Sequence, residues 1–363
     1  MRAPGLPGGA FFVAMDRFAY LVRRLLLVVP TFLGITIVCF SLTRFLPGGP
    51  VEIQLAKMRA AGEAGPSAAT VAGGAMKVTE EYRKELNKQF GFDRPIYVQY
   101  WDWLVTQRMG MRIHSYQYPN KTAWQLIRSR IPVSVWFGLV SFFLSYLICI
   151  PLGIAKALRH RTAFDAASSL FVFIGYAIPS FALAMILKML FCGTVEGLGD
   201  VFPLGGFESD FAGAVSWTTR LADRAWHMFL PVCCYVSGNF AVLTLMMKNS
   251  LLDQISSDYV RTVLAKGASR PRAIWLHAFR NALIPIATGF GAVLRVLFAG
   301  SIIIESIFEI PGMGRLSWDA LVGRDYAVFM ALLALTSVLQ LAGNLVSDFC
   351  YLFIDPRLHF GKD

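Results

Sequence analysis

Charge is scarce in this chain. Only 16% of its 363 residues are Asp, Glu, Lys or Arg and 56% are hydrophobic, which sets it apart from soluble domains carrying about 25% charge. No Gly-x-x-x-x-Gly-Lys-Ser/Thr loop occurs, so the backbone cradle and lysine that hold nucleotide phosphates are missing. The five histidines, His114, His160, His227, His277 and His359, are scattered without metal-ligand spacing, and there is no His-Glu-x-x-His; a metalloenzyme is disfavoured and no metal site is expected. Ser237-Gly238 lacks the preceding glycine and the helix histidine that an intramembrane serine protease would carry, and close helix packing is the better reading of its small residues. Of the six cysteines, Cys39, Cys149, Cys233, Cys234 and Cys350 lie in or beside apolar runs and Cys192 near the end of one. They suggest no disulfide framework, and the adjacent Cys233 and Cys234 suit small apolar packing rather than a metal. A cleavable signal is not expected, because the run from Leu25 is too long and ends in Arg44-Phe-Leu-Pro-Gly-Gly-Pro50.

What the chain has instead is long uncharged runs. Six stand out: Leu25–Thr43, Ile131–Ala155, Ala166–Leu187, Met228–Met247, Asn281–Ile304 and Tyr326–Ser347. Five contain no Asp, Glu, Lys or Arg, and the fifth in order holds only Arg295. Each can cross about 30 Å of hydrocarbon as a helix of about 20 residues. The expected fold is therefore an all-α polytopic membrane protein with six transmembrane helices.

Orientation follows from Lys and Arg in short loops. Arg2, Arg17, Arg23 and Arg24 precede the first run, Lys156, Arg159 and Arg161 follow the second, and six basic residues lie between Lys248 and Arg280. Both termini are expected in the cytoplasm, and the net charge of +11 reflects topology rather than nucleic-acid binding. The expected organisation is a cytoplasmic segment at 1–24, a first helix at 25–46 and an extracytoplasmic loop or subdomain at 47–130. Helices two to six follow at 131–347, with a cytoplasmic loop at 248–280 and a tail at 348–363. In the outer segment, Arg59–Met76 reads as a flexible Ala/Gly-rich insert and Thr79–Phe90 as a charged helix ending at Gly91. The aromatics Tyr97, Tyr100, Trp101 and Trp103 suit an interfacial belt or a docked protein.

The most specific pattern is the polar stretch Asp258–Pro285. Tyr259, Val260, Val263 and Leu264 share one face of a short helix, while Arg261, Thr262 and Lys266 lie off it. Gly267 is placed to stop the helix, Ser269 to cap a second, and Pro271 to sit in the second helix's first turn. This helix, corner and helix resembles the EAA loop of permease subunits of ATP-binding-cassette importers. Arg261-Thr262-Val263 stands at the name-giving residues and Gly267 at the fixed glycine. With His277-Ala-Phe-Arg-Asn-Ala-Leu-Ile-Pro285, it is most similar to the dipeptide and oligopeptide permease family. Phe90-Gly-Phe-Asp-Arg-Pro-Ile96, Ile304-Glu305 with Pro311-Gly-Met-Gly314, and Asp355-Pro-Arg357 extend that likeness nearly end to end. Pro47-Gly-Gly-Pro50, Lys248-Asn-Ser250 and the long first loop favour the Yej-type oligopeptide subgroup. Two departures stand out: Arg280 replaces a proline common at the end of the EAA pattern, and Met109-Gly-Met-Arg-Ile-His-Ser115 replaces an expected Gly-Asp-Phe-Gly stretch.

The resemblance implies the type I ABC importer permease fold in a bacterial inner membrane, not an enzyme, with half of a peptide translocation pore in this chain. A second homologous permease subunit, two ATP-binding-cassette ATPase subunits and an extracytoplasmic peptide-binding protein would complete it, with ATP and Mg at the ATPases and no cofactor on this chain. ATPase coupling would then fall to Tyr259, Arg261, Thr262, Ala265, Lys266, Gly267, Ala268 and Ser269. Arg295 lies about 21 Å into its run at 1.5 Å per residue. There it needs a wet cavity or an acid, so it either lines the translocation path and attracts a peptide carboxylate or serves as a structural pair or snorkelling residue. Glu305, near the outer mouth, could meet a substrate amine or a solvated rim. A non-transporting membrane scaffold or sensor remains a competing reading; an intramembrane enzyme is weaker, since no nucleophile and base are paired.

Overall fold

The computed structural model describes residues 7–45, 51, 83–85, 87–88, 92–194, 199–211, 213, 215–288 and 301–354. Regular structure in these residues is helical, with isolated β-bridges at His114–Thr122 and Cys192–Asp200. In chain order the helices are α1 (Pro7–Phe45), α2 (Ile96–Trp101), α3 (Ala123–Leu158), α4 (Ala163–Ala177), α5 (Ser180–Phe191) and α6 (Trp217–Ser256). They continue with α7 (Asp258–Ala265), α8 (Arg270–Arg272), α9 (Phe279–Ala282), α10 (Ile284–Thr288), α11 (Ile302–Ile307), α12 (Met313–Val322) and α13 (Tyr326–Ile354). A π-helical turn, Asp102–Thr106, extends α2, and another, Ala273–Ala278, joins α8 to α9.

Among the described residues, stretches of α1, α3, α6 and α13 are each long and apolar enough to cross a membrane, and α4 with α5 makes a fifth if the bent pair is one span. Helix suits such runs because hydrocarbon offers no water, so every backbone N–H and C=O needs a partner within the segment. The run Ala166–Leu187 is not one straight helix: α4 and α5 meet at 90°. The cause is local. Ile178 and Pro179 both take extended ψ values, 116° and 137°, as expected where proline crowds the residue before it out of the α region. Both arms of the bend pack on α6. Half of the expected fifth run, residues 289–300, lies outside the described residues, as does the expected insert at 59–76; Arg83–Glu85, within the expected charged helix, is helical.

The chain divides into two compact units: Met1–Val29, Ile131–Arg315 and Leu339–Asp363 form one, Pro30–Arg130 and Leu316–Val338 the other. In the second, Phe40, Trp103, Met330 and Ala334 form a core. Tyr100 packs edge-on against Phe40 at 5.5 Å between ring centroids, and its hydroxyl lies 2.8 Å from Thr36 Oγ1. The four aromatics of this stretch thus part company: Tyr100 and Trp103 turn inward, while Tyr97 and Trp101 are exposed. Buried Asp325 accepts hydrogen bonds from the Ser115 hydroxyl and from the backbone N–H of Gln117 and Val328.

Among the described residues, two cores lie in the first unit. One gathers Phe137 of α3, Ala184 of α5, Met228 and Cys234 of α6, and Ile304 with Phe308. The other gathers Cys149 and Ala157 of α3, Met247 and Leu251 of α6, Val260 of α7, and Ala273 with Ala278 of the π turn. Between α3 and α6 the backbones nearly touch: a Cβ on Gly153 would lie 2.6 Å from Met247 Cβ and 2.7 Å from the Thr244 carbonyl oxygen. Small residues at such crossings let packing replace the hydrophobic effect that lipid cannot supply. Gly153→Val is expected to lower the melting temperature in detergent and the yield of monodisperse protein. Gly175→Ala, which meets no atom within 4 Å, is expected to leave both within error or slightly improved. Equal melting curves for the two variants would remove the close crossing from the account.

Candidate coupling site

The corner expected at Asp258–Pro271 is present, with the turn at Gly267 and the proline in the next first turn where expected. α7 ends at Ala265, and Gly267 takes φ +86° with no atom within 4 Å of where a Cβ would sit. The Gly267 N–H donates to the Leu264 carbonyl at 2.9 Å and the Ala268 N–H to the Val263 carbonyl at 3.3 Å. These two bonds are the Schellman closure, which satisfies carbonyls the helix end would leave open and places the next residue in the left-handed region. Ser269 follows in an extended conformation at the N-cap position, but its hydroxyl makes no capping bond, and Pro271 sits in the first turn of α8. Only glycine, or at some cost asparagine, enters that turn readily.

The apolar face of α7 is wider than the chain itself covers. Val260 is 2% exposed and packs into the second core, with partly buried Val263 against it. Tyr259 and Leu264, on the same face, stay 37% and 39% exposed. The Tyr259 hydroxyl donates to Gln254 Oε1 at 2.7 Å, which fixes the ring toward the end of α6. Arg261, Thr262, Ala265, Lys266 and Ser269 are exposed, and Ala268 is partly buried. Arg261 approaches Asp258 at 3.6 Å with both side chains largely in solvent, a pairing worth little to stability. α7 thus rests on the Ala273–Ala278 turn and the end of α6 through buried Val260 and partly buried Val263, and turns an aromatic, an aliphatic and a basic surface outward.

The other sequence-predicted residues lie elsewhere. Arg295 is outside the described residues. Glu305, expected near the outer mouth, is fully buried. Its Oε1 accepts from the Ser301 N–H at 3.1 Å and its Oε2 from the Arg315 N–H at 2.8 Å, with the Gly314 N–H also bonded to the carboxyl. The Met313 N–H, on the first residue of α12, goes to Ser134 Oγ on α3 at 2.7 Å. The first N–H groups of α12, which no helical carbonyl can reach, are therefore consumed by Ser134 and Glu305. Pro311-Gly-Met-Gly314 makes this fit: a Cβ on Gly312 would lie 2.5 Å from Glu305 Oε2, and one on Gly314 would lie 2.7 Å from the Ile302 nitrogen. Sequence reasoning passed over Asp165, a buried acid at the start of α4. Its available signal was an acid immediately before an uncharged run and close to the basic residues Lys156, Arg159 and Arg161.

Among the described residues, no group of three or more His, Cys, Asp or Glu is placed to hold a metal ion. Residues 149–360 match the family of binding-protein-dependent transport system inner membrane components. The chain is 37% identical to the inner membrane ABC transporter permease protein YejB of Escherichia coli O157:H7, with 94% of this chain and 99% of that protein aligned. It is 36% identical to the peptidoglycan transport system permease protein YejB of Agrobacterium fabrum, over 95% and 99%. It is 32% identical to the oligopeptide transport system permease protein AppB of Bacillus subtilis, over 94% and 99%. The chain belongs to the family of inner membrane components of binding-protein-dependent transport systems. It is a multi-pass inner-membrane permease component of an ATP-binding-cassette importer.

Burial is the main influence on the Glu305 carboxyl and pushes its pKa up to about 7, against the pull of the three N–H groups. The residue follows the expected fifth run. Because the folded chain holds this proton more tightly than the unfolded one, Glu305 destabilises the fold as pH rises from about 4.5 to about 7, by at most about 1.4 kcal/mol per pH unit. Glu305→Gln is expected to flatten that slope while lowering stability at every pH, since an amide NH2 would face backbone donors. Melting curves from pH 4.5 to 8 check this; an unchanged slope in the variant would assign the pH dependence to other groups.

Proposed function

We propose that this chain is one of two homologous permease subunits of a peptide importer and forms half of the pore. In this reading it crosses the membrane six times with both termini in the cytoplasm. Two ATPase subunits, which hold ATP and Mg, grip α7 and the Gly267 corner, and an extracytoplasmic binding protein delivers peptide. The observation that carries the coupling assignment is the Schellman corner behind a helix whose Tyr259 and Leu264 remain exposed beside Arg261 and Lys266. An apolar and basic knob held on a packed base suits a groove in a soluble partner. The peptide assignment is supported by the names of the relatives, among them an oligopeptide permease and a peptidoglycan permease. Closure of the ATPases around ATP would draw the two coupling helices together and rock the packed spans from inward-open to outward-open, with return after hydrolysis.

Arg295 is assigned to the translocation path on its sequence position, attracting a peptide carboxylate. Arg295→Met should then reduce uptake of acidic peptides more than neutral ones, and equal uptake of both at the wild-type level would remove that role. Glu305, with its oxygens on backbone N–H groups, receives no substrate role in this proposal.

The coupling assignment is tested by expressing the chain with its ATPase and companion permease and purifying on a tag carried by this subunit. Gly267→Asn should retain most transport and ATPase co-purification. Gly267→Val should insert normally yet lose at least about tenfold in peptide-stimulated ATP hydrolysis, because a β-branched residue resists positive φ. Since the Cβ position is open, the ranking tests conformation rather than clash. Wild-type coupling in Gly267→Val, or no ATPase with the wild-type chain, would overturn the assignment.

A further inference from the structure

Lys156 is fully buried at the end of α3, where a lysine would ordinarily reach water. Its Nζ donates to the Asp165 carbonyl at 3.1 Å, to Ser168 Oγ at 2.8 Å and to Ser169 Oγ at 2.7 Å, and lies 3.3 Å from Asp165 Oδ1. The Ser168 hydroxyl in turn donates to the Phe164 carbonyl at 2.6 Å. From α6, Lys248 Nζ bonds both Asp165 oxygens, at 2.7 and 2.8 Å. The Arg161 N–H donates to Asp165 Oδ2 at 3.2 Å, and His160 Nδ1 lies 3.3 Å from the same oxygen. One carboxylate on α4 therefore takes up both side-chain oxygens in tying two lysines from two other helices.

The same helices carry the base of the coupling corner. Ala157 and Met247 are the chain neighbours of Lys156 and Lys248, and they face the core that holds Val260 and Ala273. Successive residues on a helix point about 100° apart, so each helix end offers one face to the ionic cluster and the next to the support of α7. All these residues fall in one compact unit. A charge cluster of this kind adds little net stability over an apolar core, but it fixes one geometry, because a lysine without its acid is costly to keep buried.

We infer that Asp165 is a positioning residue: with Lys156 and Lys248 it locks the feet of α3, α4 and α6 to the base of α7, so that these elements move as one body when the coupling helix is pulled. The inference rests on the proposed role of α7 for its consequence in transport, but the lock itself is a property of this chain.

The test uses the assembled importer in nanodiscs with native cysteines replaced and spin labels at Ala163→Cys on α4 and Asp253→Cys on α6. The interlabel distance is expected to stay within about 2 Å between the nucleotide-free and ATP-vanadate states, less than the shifts that accompany switching of helix interfaces. Asp165→Asn should broaden and shift that distribution on ATP binding, and should cut peptide moved per ATP at least about fivefold; Asp165→Glu should recover part of both. If Asp165→Asn does not accumulate, Lys248→Met removes the α4–α6 link while leaving Asp165 paired with Lys156, and the same loosening is expected. A wild-type distance that changes by more than about 5 Å, or a narrow distribution with normal transport per ATP in the linkless variant, would overturn the inference. Loss of the coupling reading is recognised separately, by absence of the ATPase from the wild-type preparation while the distance comparison between wild type and variant still stands.

Discussion

The first unit depends on α6, and α6 depends on the rule that a polar backbone in hydrocarbon must satisfy itself. Forty residues of continuous helix give both arms of the α4–α5 bend, the close crossing at Gly153 and the base of the Gly267 corner one common surface. Pro231 lies inside that helix without ending it, whereas Pro179 ends one helix and begins another. What separates the two is whether the preceding residue stays helical, and at Ile178 the bend lets both arms lie against α6.

Onto this apolar frame the chain places a few buried charges, and each closes a junction. Glu305 satisfies N–H groups that the first turn of α12 cannot satisfy within its own helix. Asp165 answers two lysines from neighbouring helices. In the other unit, Asp325 gathers Ser115, Gln117 and Val328. In each case an acid stands where helix ends meet and accepts from the backbone or lysine donors gathered there. Buried polar groups are tolerated where they are paired, and their strict geometry then specifies one arrangement.

Much of this was legible beforehand. The apolar runs anticipated α1, α3, α6 and α13 because a run of that length has few ways to satisfy its backbone other than helix. The corner itself was legible at Gly267 and Pro271, whose narrow conformational roles do not depend on distant partners, whereas Ser269 takes the expected N-cap position without the capping bond. The bend at Pro179 was less legible, because prolines within α3 and α6 show that the residue alone does not decide. The role of Glu305 was not legible at all: its partners are backbone N–H groups, which leave no mark in a sequence.

Sequence alone determined that the chain is a polytopic membrane protein with dense apolar runs and a local turn at Gly267, because these follow from composition and from the allowed dihedral angles of single residues; its permease class came from motif resemblance. Tertiary structure decided which side of α7 is spent on the chain's own core and which stays exposed. It also made Lys156 and Lys248, which read in sequence as markers of cytoplasmic loops, into partners of one buried acid. The physical reason is that pairing and burial depend on which helices meet, and residues 83 positions apart, such as Asp165 and Lys248, are brought together only by packing.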